Sequence, residues 1–567
     1  MRNLIFICIV LTLVIPSQAR TITVDDDGPA DFNNIQAAID DANDGDEIIV
    51  ADGTYTGDGN RDIDFLGKAI TVKSENGPEN CIIDCNATES EPHRGFNFHN
   101  NEDANSILDG FTINNGYVLG SWPEEFCGGA IFCNASSPTI TNCTITDNRA
   151  DGYGGGIFCD ESNLTITNCT ITGNYAPYGA GIECERGSAV IDNCVITENS
   201  FRVGGGGVFC SRSNLTITNS TITENTPPDS HGGGGGGIFA VESTVEITNC
   251  AILNNSVNYE GGGIHYFARH DEVSLTITNS IITGNSAGLE GGGILSLRGR
   301  VAITNTTIAN NTANGPGGAI YAVDYAAFEI TNSILWANSP EQIYYRGYTP
   351  TVIYSDVQGG WEGERNIDAD PCFVEPGYWD SNGVWFEGDY HLLAGSPCID
   401  TGDPNYSPEP NETDLDGNPR VLDGNEDGTA VVDMGAYEYE FLPAVEAVVK
   451  IRPKTLNLRS KGKWITCRIS LPEDYNVADI DPNSIFLEDE IEADRVWLAA
   501  EFAVAKFSRQ ALQELLADLE TPATVELLIS GQLIDGTIFE GTDTIRIINR
   551  VPRRKNLPRP AILRRKP

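Results

Sequence analysis

Two neighbouring acidic turns carry side-chain oxygens at the alternating positions that calcium loops use. Oxygens at positions 1, 3 and 5 followed by glycine open a loop of the EF-hand kind. Counted from Asp423, position 12 is Met434 rather than an acid, so we do not predict a true EF-hand. We expect a looser structural Ca²⁺ site, the alternative being a solvated acidic turn, with these candidate ligands: Asp414, Asp416, Asn418, Asp423, Asn425, Asp427 and Asp433.

A second group of candidate residues is mostly aromatic and follows a repeated glycine-rich tetrad. Gly-Gly-Gly-Ile, or a close variant, recurs eight times at intervals of 25 to 30 residues. If its last residue points into a core, the next points out, because side chains alternate along a strand. An exposed row of rings could stack on a polysaccharide, the alternative being that a loop covers the row. The candidates are Phe132, Phe158, Phe209, Phe239, His265 and Tyr321.

The same repeat predicts the fold that positions these residues. Each unit carries two further asparagines at fixed offsets, such as Asn168 and Asn174, and between them apolar residues alternate with threonine. This is strand patterning with turns at the asparagines. About three short strands per unit describe one coil of a parallel β-helix, whose coils must stack to bury their apolar faces. The second asparagines should then form an inward ladder that bonds coil to coil.

The repeated blocks, such as Asn168-Cys-Thr-Ile-Thr-Gly-Asn174, resemble right-handed parallel β-helix repeats of the pectate-lyase-like superfamily. They are also similar to repeats of polymorphic outer-membrane proteins. Residues 31–40 resemble the capping helix of such proteins, with Phe32, Ile35, Ala38 and Ile39 on one face. The resemblance implies an all-β chain with a right-handed β-helix over residues 20–440, regular coils over about 128–340 and a closing region over 350–440.

Catalytic residues are not identified by any motif. The polygalacturonase and pectin methylesterase motifs are missing from the coils, and there is no Lys between Lys73 and Lys450 to act as a base. Acids and arginines occur in the coils, in no arrangement that matches the Ca²⁺-bound carboxylates and Arg base of pectate lyases. We therefore lean towards a protein that is not an enzyme, while a lyase or hydrolase acting on an acidic polysaccharide stays the alternative.

The cysteines permit two interpretations. Two rows recur with the repeat, beginning at Cys133 and Cys143, and stacked coils would bring their Cα atoms within disulfide range. Buried free thiols are the other interpretation, because strands in register orient their Cβ atoms alike. Outside the rows, two candidate disulfide pairs are Cys81 with Cys85 and Cys372 with Cys398.

The ends of the chain predict export. Residues 1–19 have the basic start, short apolar run and small-residue cleavage site of a signal peptide, the alternative being an uncleaved anchor. We expect a secreted or cell-surface protein, peripheral to the envelope and without a transmembrane helix in the mature chain. Residues 441–550 leave the repeat and predict a small β-sandwich with one short helix from Ser508 to Leu519, capped by Ser508. Residues 551–567 hold seven Lys and Arg and no acid, and predict a disordered basic tail, the alternative being a clip onto the acidic body or onto an anionic envelope polymer.

Charge narrows the choice of partner. The chain has 35 Lys and Arg against 81 Asp and Glu, a net charge of −46. Such a surface repels phosphates, which disfavours nucleic acid and anionic lipid and favours cations, basic partners or neutral sugars. We therefore expect non-catalytic binding or adhesion to a polysaccharide or cell-surface glycan, with a purely structural spacer as a further alternative.

Overall fold

The computed structural model describes residues 19–550, except 122, 124, 229–231, 271, 426, 442–443, 473, 489, 518 and 535–536. The predicted signal peptide, apart from Ala19, and the predicted basic tail lie outside the described residues. The chain divides into two compact units, one up to Glu440 and one from Phe441. Within the described residues, no helix is both long and apolar enough to cross a bilayer.

The first unit is a parallel β-solenoid of about 13 turns built on three long sheets. Sheet 1 contains Thr21–Val24, Glu47–Val50, Thr71–Ser74, Ile107–Asp109, Thr139–Thr141, Asn163–Thr167, Ser188–Asp192, Asn214–Thr218, Thr244–Thr248, Ser274–Thr278, Arg300–Thr304, Ala327–Thr331 and Thr351–Ile353. Sheet 2 contains Gly53–Tyr55, Cys81–Asp84, Thr112–Asn114, Thr144–Thr146, Thr170–Thr172, Val195–Thr197, Thr221–Thr223, Ala251–Leu253, Ile281–Thr283, Thr307–Ala309, Ile334–Trp336 and Asp356–Val357. Sheet 3 contains Ile63–Asp64, Phe96–Phe98, Ile131–Asn134, Ile157–Asp160, Ile182–Glu185, Val208–Ser211, Ile238–Val241, Ile264–Phe267, Ile294–Leu297, Ile320–Val323 and Ile343–Arg346.

Shorter strands complete many of the coils between sheets 2 and 3. One set of four contains Tyr117–Val118, Arg149–Ala150, Tyr175–Tyr178 and Ser200–Gly204, and one set of three contains Ser256–Val257, Ser286–Ala287 and Thr312–Ala313. The glycine tetrads follow these segments and lead into sheet 3. The isoleucines and leucines of all three long sheets meet in one continuous core, which confirms the predicted fold class.

The asparagine that separates sheets 1 and 2 makes a left-handed turn in successive coils. Asn168 has a φ of 54° and Asn193 a φ of 51°, a conformation that asparagine tolerates better than most residues. This turn replaces a longer loop with a single residue. The need for a residue that accepts this conformation explains why Asn recurs at this position in successive coils.

The predicted inward ladder of asparagines is confirmed. In a typical step, Oδ1 of Asn199 accepts hydrogen bonds from the backbone N–H and from Nδ2 of Asn174, both at 3.0 Å. The members are fully buried or nearly so. Because each amide satisfies polar groups that the turn would otherwise leave unpaired in the core, the ladder joins neighbouring coils at a point where no strand does. Its members are Asn148, Asn174, Asn199, Asn225, Asn255, Asn285, Asn311 and Asn338.

The row of cysteines that follows the turn asparagines is a ladder of hydrogen-bond groups. The backbone N–H of Cys143 points at Sγ of Cys169 at 3.4 Å, and the N–H of Cys194 donates to Oγ of Ser220 at 3.0 Å. The thiol and the hydroxyl therefore both accept a hydrogen bond from the backbone N–H of the preceding coil. All 14 cysteines from Cys81 to Cys467 are free thiols.

The two predicted disulfide pairs are not present in this structure. Cys81 and Cys85 lie four residues apart along one extended segment, which places their Cα atoms beyond the reach of a disulfide. The thiol of Cys398 instead contacts Oδ2 of Asp356 at 3.4 Å, and the thiol of Cys372 contacts the carbonyl of Asp370 at 3.4 Å.

One short helix, Ile35–Asp41, packs against the start of the solenoid. Its N-cap is Asn34, whose side chain accepts a hydrogen bond from the N–H of Ala37. Ile35, Ala38 and Ile39 are fully buried in the main core. The helix is shorter than the predicted capping helix, because Phe32 precedes it in an extended segment, yet it buries the predicted face.

After the last coils, residues 373–440 fold back along the solenoid. Phe373–Glu375 pairs with Asp389–Leu392, and between them Tyr378–Trp379 pairs with Trp385–Phe386, both antiparallel. The returning segment contributes its own buried cluster, including Tyr390, Cys398 and Met434, against the side of the coils. This segment therefore projects from the side of the solenoid and borders a groove on the surface of the coils.

The second unit is a β-rich domain around a separate core. Its strands are Val445–Glu446, Val448–Arg452, Thr455–Asn457, Trp464–Ser470, Phe486–Leu487, Ile491–Ala499, Phe502–Ser508, Ala523–Gln532 and Ile538–Ile548. A 3-10 turn, Val477–Asp479, and one α-helix, Arg509–Leu515, complete its described secondary structure. Ser508 caps the helix as predicted, since its hydroxyl accepts from the N–H of Ala511, but the helix ends four residues early.

Candidate functional site

The predicted aromatic residues form one row on sheet 3, but the row is not exposed. The register pairs Phe132 with Phe158 and Phe209 with Phe239, with equivalent residues in the coils between and beyond, including His265 and Tyr321. Phe158 is 0% exposed and Phe209 is 9% exposed. The alignment was therefore predicted correctly, and the prediction of an exposed platform was wrong.

A second aromatic layer covers the row. Tyr153 stacks on Tyr178 with ring centroids 5.1 Å apart, and Tyr178 makes an edge contact with Phe209 at 5.4 Å. Phe132 and Phe158 stack on one another at 5.6 Å beneath this layer. The covering residues belong to the segments that return to the glycine tetrads, so the rings make an outer core instead of a binding surface.

Two polar side chains are buried in the same row. Glu183 lies between Phe158 and Phe209, its Oε2 atom has no hydrogen-bond partner, and burial raises its pKa well above the usual range. His265 stacks on Phe239 at 4.4 Å with neither ring nitrogen hydrogen-bonded, and burial lowers its pKa to about 4. Both shifts favour the neutral form of the side chain, which is how these groups are accommodated among aromatic rings.

The predicted calcium ligands do not gather around one point in the described chain. Asp414 and Asp433 are buried and accept backbone N–H groups, Asp414 from Asn418 at 2.7 Å and Asp433 from Asp400 at 2.7 Å. The Asp423 turn is exposed and folds around its own N–H groups. Calcium binding stays a prediction there, since Asp423, Asn425 and Asp427 keep the predicted order in one exposed turn.

The closing segment builds a groove that was not predicted from the sequence. Its hairpin places Trp379 against the coils, where the indole N–H donates to the backbone carbonyl of Asn310 at 2.8 Å. Trp385 lies beside it with ring centroids 5.3 Å apart. On the other face of the hairpin, Tyr378 and Phe386 stack at 4.9 Å and are 55% and 45% exposed. The hairpin therefore forms an aromatic wall standing on the solenoid.

The floor of this groove, which we call the Trp379 groove, is made by residues on either side of the asparagine ladder. Two adjoining cavities of about 410 and 480 Å³ share Ser286, Trp379 and Gly383. The residue after each ladder asparagine offers a hydroxyl in five successive coils, namely Ser200, Thr226, Ser256, Ser286 and Thr312. The residue before it is Glu198, Glu224 and Asn254 in three of these coils. The floor thus offers one hydroxyl per coil, preceded by a carboxylate or an amide in three of the coils.

One glycine explains where the hairpin sits. Gly284 occupies the turn position before a ladder asparagine, with a φ of 62°, and a Cβ there would lie 2.4 Å from Trp385. Neighbouring coils have Asn254 and Asn310 at this position, in the same left-handed conformation. Glycine in this coil therefore allows the indole to approach the backbone.

A histidine held between two carboxylates lies further along the closing segment. His391 contacts Asp389 through Nδ1 at 2.5 Å and Asp416 through Nε2 at 2.6 Å, with its ring 4.0 Å from that of Tyr437. Burial lowers the pKa of His391, but the hydrogen bonds to Asp416 and Asp389 outweigh it, so the net shift is upward. Asp416 is thus engaged by the imidazole of His391, and this contact competes with its predicted calcium role.

A second polar cavity, of about 560 Å³, lies near the start of sheet 3. Nδ1 of His93 is 2.6 Å from Oδ2 of Asp62, and Arg94 donates to Oδ1 of Asn97 at 3.1 Å. Glu125 also lines this cavity. An imidazole paired with a carboxylate, beside a guanidinium and a second acid, has the groups that acid–base chemistry needs.

The hairpin is marked in the sequence, although we did not predict it. Tyr378-Trp379 and Trp385-Phe386 flank Asn382-Gly383, and aromatic pairs on both sides of Asn-Gly are typical of a β-hairpin. No comparable signal exists for the His93 cavity, because Asp62 and His93 are 31 residues apart and meet only when coils stack.

Comparisons with known proteins identify the family. The family described as "Right handed beta helix region" matches residues 47–202 and 155–335. No curated protein matches the sequence. Among solved structures, the crystal structure of pectate lyase Pel9A is similar at 15% identity and a TM-score of 0.31, covering 75% of this chain and 97% of that one, and the activity in its title belongs to that protein. Because the two family matches together span residues 47–335, which is more than half of the 567 residues, the chain belongs to the right-handed β-helix family.

Proposed function

We propose that the protein is an exported, non-catalytic binder of polysaccharide, and that the Trp379 groove holds the glycan. One observation carries the proposal: an anchored aromatic wall stands beside a floor that offers a hydroxyl in five successive coils. Sugars are recognised by a ring face that stacks and by polar groups that exchange hydrogen bonds with hydroxyls. An extended glycan running along the solenoid axis would meet the same groups once per coil.

The charge of the groove selects among glycans. Glu198 and Glu224 are both exposed on the floor, and the described floor and wall include no Lys or Arg. Carboxylates accept hydrogen bonds from sugar hydroxyls but repel uronates and sulfates. The groove therefore favours a neutral polysaccharide over an acidic one.

The test measures retention of the full chain on insoluble neutral glycans and its mobility in gels that contain soluble ones. Trp379→Ala should weaken binding about tenfold or more, because it removes the stacking surface. Tyr348→Ala is the control, since Tyr348 is 59% exposed and does not line the groove. Equal binding by both variants and the unmodified chain would refute the assignment to this groove.

An enzyme acting on polysaccharide is the second candidate, and the His93 cavity supports it. The pairing of His93 with Asp62, next to Arg94, is the described arrangement that most resembles an acid–base site. New reducing ends or unsaturated ends in a panel of acidic and neutral polysaccharides, absent with His93→Ala, would establish catalysis. The same panel without new ends, but with retention on a neutral glycan, supports the binder.

A further inference from the structure

Most of the negative charge of this protein lies in the solenoid. Residues 1–440 hold 16 Lys and Arg against 63 Asp and Glu, a net charge of −47, whereas residues 441–567 hold 19 against 18. Seven of those 19 cations lie in residues 551–567, so residues 441–550 hold 12 Lys and Arg against 18 Asp and Glu, a net charge of −6. Within the second unit, several of the cations are not spread evenly but collect on one face.

That face belongs to four neighbouring antiparallel strands, Val448–Arg452, Trp464–Ser470, Phe502–Ser508 and the stretch of Ile491–Ala499 from Arg495 onward. Alternate residues of these strands are buried in the core, so the others point outward. None of these outward residues is an acid: they are Val448, Lys450, Arg452, Trp464, Thr466, Arg468, Ser470, Phe502, Val504, Lys506, Ser508, Arg495, Trp497 and Ala499. We call this set, together with Lys463, the basic sheet face. Asp494 adjoins it at a bulge, where the register with Phe502–Ser508 shifts.

The register arranges the cations in rows across the strands. Arg452 is opposite Thr466, Thr466 is opposite Lys506, and Lys506 is opposite Arg495. A parallel row contains Lys450 opposite Arg468. Since neighbouring strands lie about 4.8 Å apart, the longer row presents its charges along a line of roughly 14 Å.

Aromatic rings hold three of the cations in place. The guanidinium of Arg468 lies 3.7 Å from the ring centroid of Phe502, and Nζ of Lys506 lies 4.4 Å from that of Trp497. Lys463 lies over Trp464 at 4.5 Å. A cation over a ring keeps its charge available to a second partner while its side chain is ordered.

The cations of this face have no carboxylate partner among the described residues. Within the second unit, the described ion pair is that of Lys454 with Asp543, and neither residue belongs to the face. The opposite sheet differs, since its outward residues include Glu526 and Glu540. Ordered cations without an ion-pair partner on one flat face make an anion-binding surface.

We propose that the basic sheet face binds an anionic polysaccharide, with the carboxylate or sulfate groups of one extended chain meeting the cations of a row. A thin polymer can lie along the face, whereas a second copy would bring another solenoid of net charge −47, and the two bodies would repel each other. Duplex DNA carries about one charge per 1.7 Å, so the net charge of −46 of the chain repels it more strongly than it repels a polymer with more widely spaced charges. This proposal does not depend on the Trp379 groove.

The experiment uses the full chain and two quadruple variants of equal net charge. The face variant combines Lys450→Gln, Arg468→Gln, Arg495→Gln and Lys506→Gln. The control combines Arg459→Gln, Lys461→Gln, Arg546→Gln and Arg550→Gln, which are in the same unit but outside the face. Affinity is measured at low and at physiological salt for alginate, which carries carboxylates, heparin, which carries sulfates, uncharged dextran and duplex DNA. Self-association of each protein is followed by sedimentation.

We expect the unmodified chain and the control to bind at least one anionic polymer, with an affinity that falls as the salt concentration rises. The affinity of the face variant for that polymer should be lower by about tenfold or more. Unchanged melting of both variants shows that folding is intact. Equal losses in both variants, or no anionic binding at all, would overturn the proposal. Tighter binding to duplex DNA would assign the face to nucleic acid, and self-association abolished by the face variant would assign it to a second copy. Trp379→Ala should leave the affinity for the anionic polymer unaltered. The proposal for the basic sheet face and the proposal for the Trp379 groove can therefore be refuted independently.

Discussion

The indole of Trp379 is tied to the backbone of Asn310 by a single hydrogen bond of 2.8 Å, although 69 residues separate them in sequence. Asn310 immediately precedes a ladder asparagine, so the contact joins the closing segment to the coil-forming repeat. The aromatic wall therefore stands at a fixed height above the row of hydroxyls. Docking of the hairpin and binding of a glycan should consequently be lost together.

Gly284→Asn should displace the hairpin without disturbing the solenoid. Asparagine already occupies the equivalent turn at Asn254 and Asn310, but at residue 284 its Cβ would lie 2.4 Å from Trp385. We expect a loss of about 1–3 kcal/mol in stability, faster proteolysis near residues 378–386 and weaker glycan retention. Gly173→Asn is the matched control, because Gly173 makes the same turn and the nearest atom to its Cβ position, Oδ1 of Asp147, is 3.1 Å away. Equal behaviour of the two variants would contradict this docking role.

Asn199→Ala should destabilise the solenoid by about 2–4 kcal/mol, because the buried N–H of Asn174 would lose its acceptor and Nδ2 of Asn174 would lose one of its acceptors. The measurement is chemical unfolding followed by circular dichroism. Thr216→Ala, on the outward side of a neighbouring strand, should change stability by less than about 0.5 kcal/mol. A ladder variant as stable as this control would show that the amides contribute little.

Cys169→Ser should be tolerated, whereas Cys169→Ala should cost about 1–3 kcal/mol. The thiol of Cys169 faces the N–H of Cys143, and Ser220 accepts the equivalent bond in a later coil. A hydroxyl therefore preserves the ladder and a methyl group does not. Unfolding without reductant, compared with the same experiment in reductant, shows in addition whether any disulfide contributes, and we expect identical curves.

His391 should make stability depend on pH. Its pKa in the folded protein is raised, so the contribution of its bonds to Asp389 and Asp416 is fully present below the pKa of the unfolded chain, about 6.5, and is lost as pH rises through the folded pKa. The free energy of unfolding, measured from pH 5.5 to 9, should therefore differ most between His391→Gln and the unmodified chain at the acidic end. A difference that grows with pH would reverse the assignment.

Calcium should raise the melting temperature relative to EDTA, through the exposed Asp423 turn. A site of the weak extracellular kind, at a calcium concentration about tenfold above its dissociation constant, contributes about 1 kcal/mol. The double variant Asp423→Asn and Asp427→Asn should abolish the response. Identical melts of the unmodified chain in calcium and in EDTA would show that this turn holds no stabilising metal.

The local pattern of the sequence was enough to predict the coils, their register and the inward asparagines. These features recur in every coil, so the pattern of one unit, such as residues 164–174, is enough to predict them in the other coils. The same pattern predicted that Phe158 points away from the main core, which is correct. It could not predict that Tyr153 and Tyr178 cover that side, because the covering segments vary in length and do not follow the period.

The proposed binding surface was missed for a related reason. The Trp379 groove depends on contacts between residues 378–386 and coils far earlier in the chain, and no local rule relates Gly284 to Trp385. Glycine in a turn is ordinarily explained by its backbone angle, which Asn254 achieves without it. Only the docked hairpin shows that this glycine is needed for the space above it.

The asparagine ladder also bears on how the protein can change in length. Asn199 and Asn225 are 26 residues apart and Asn225 and Asn255 are 30 apart, yet their amide bonds are 3.0 and 2.9 Å long. The hydrogen bonds between successive ladder asparagines therefore do not depend on the length of the loop that connects the two coils. If one whole coil is duplicated or deleted in the gene, the ladder bonds can still form on both sides of the change. The floor of the groove then gains or loses one hydroxyl. The reach of the binding surface is thus a quantity that evolution can adjust in steps of one coil, without redesigning the core.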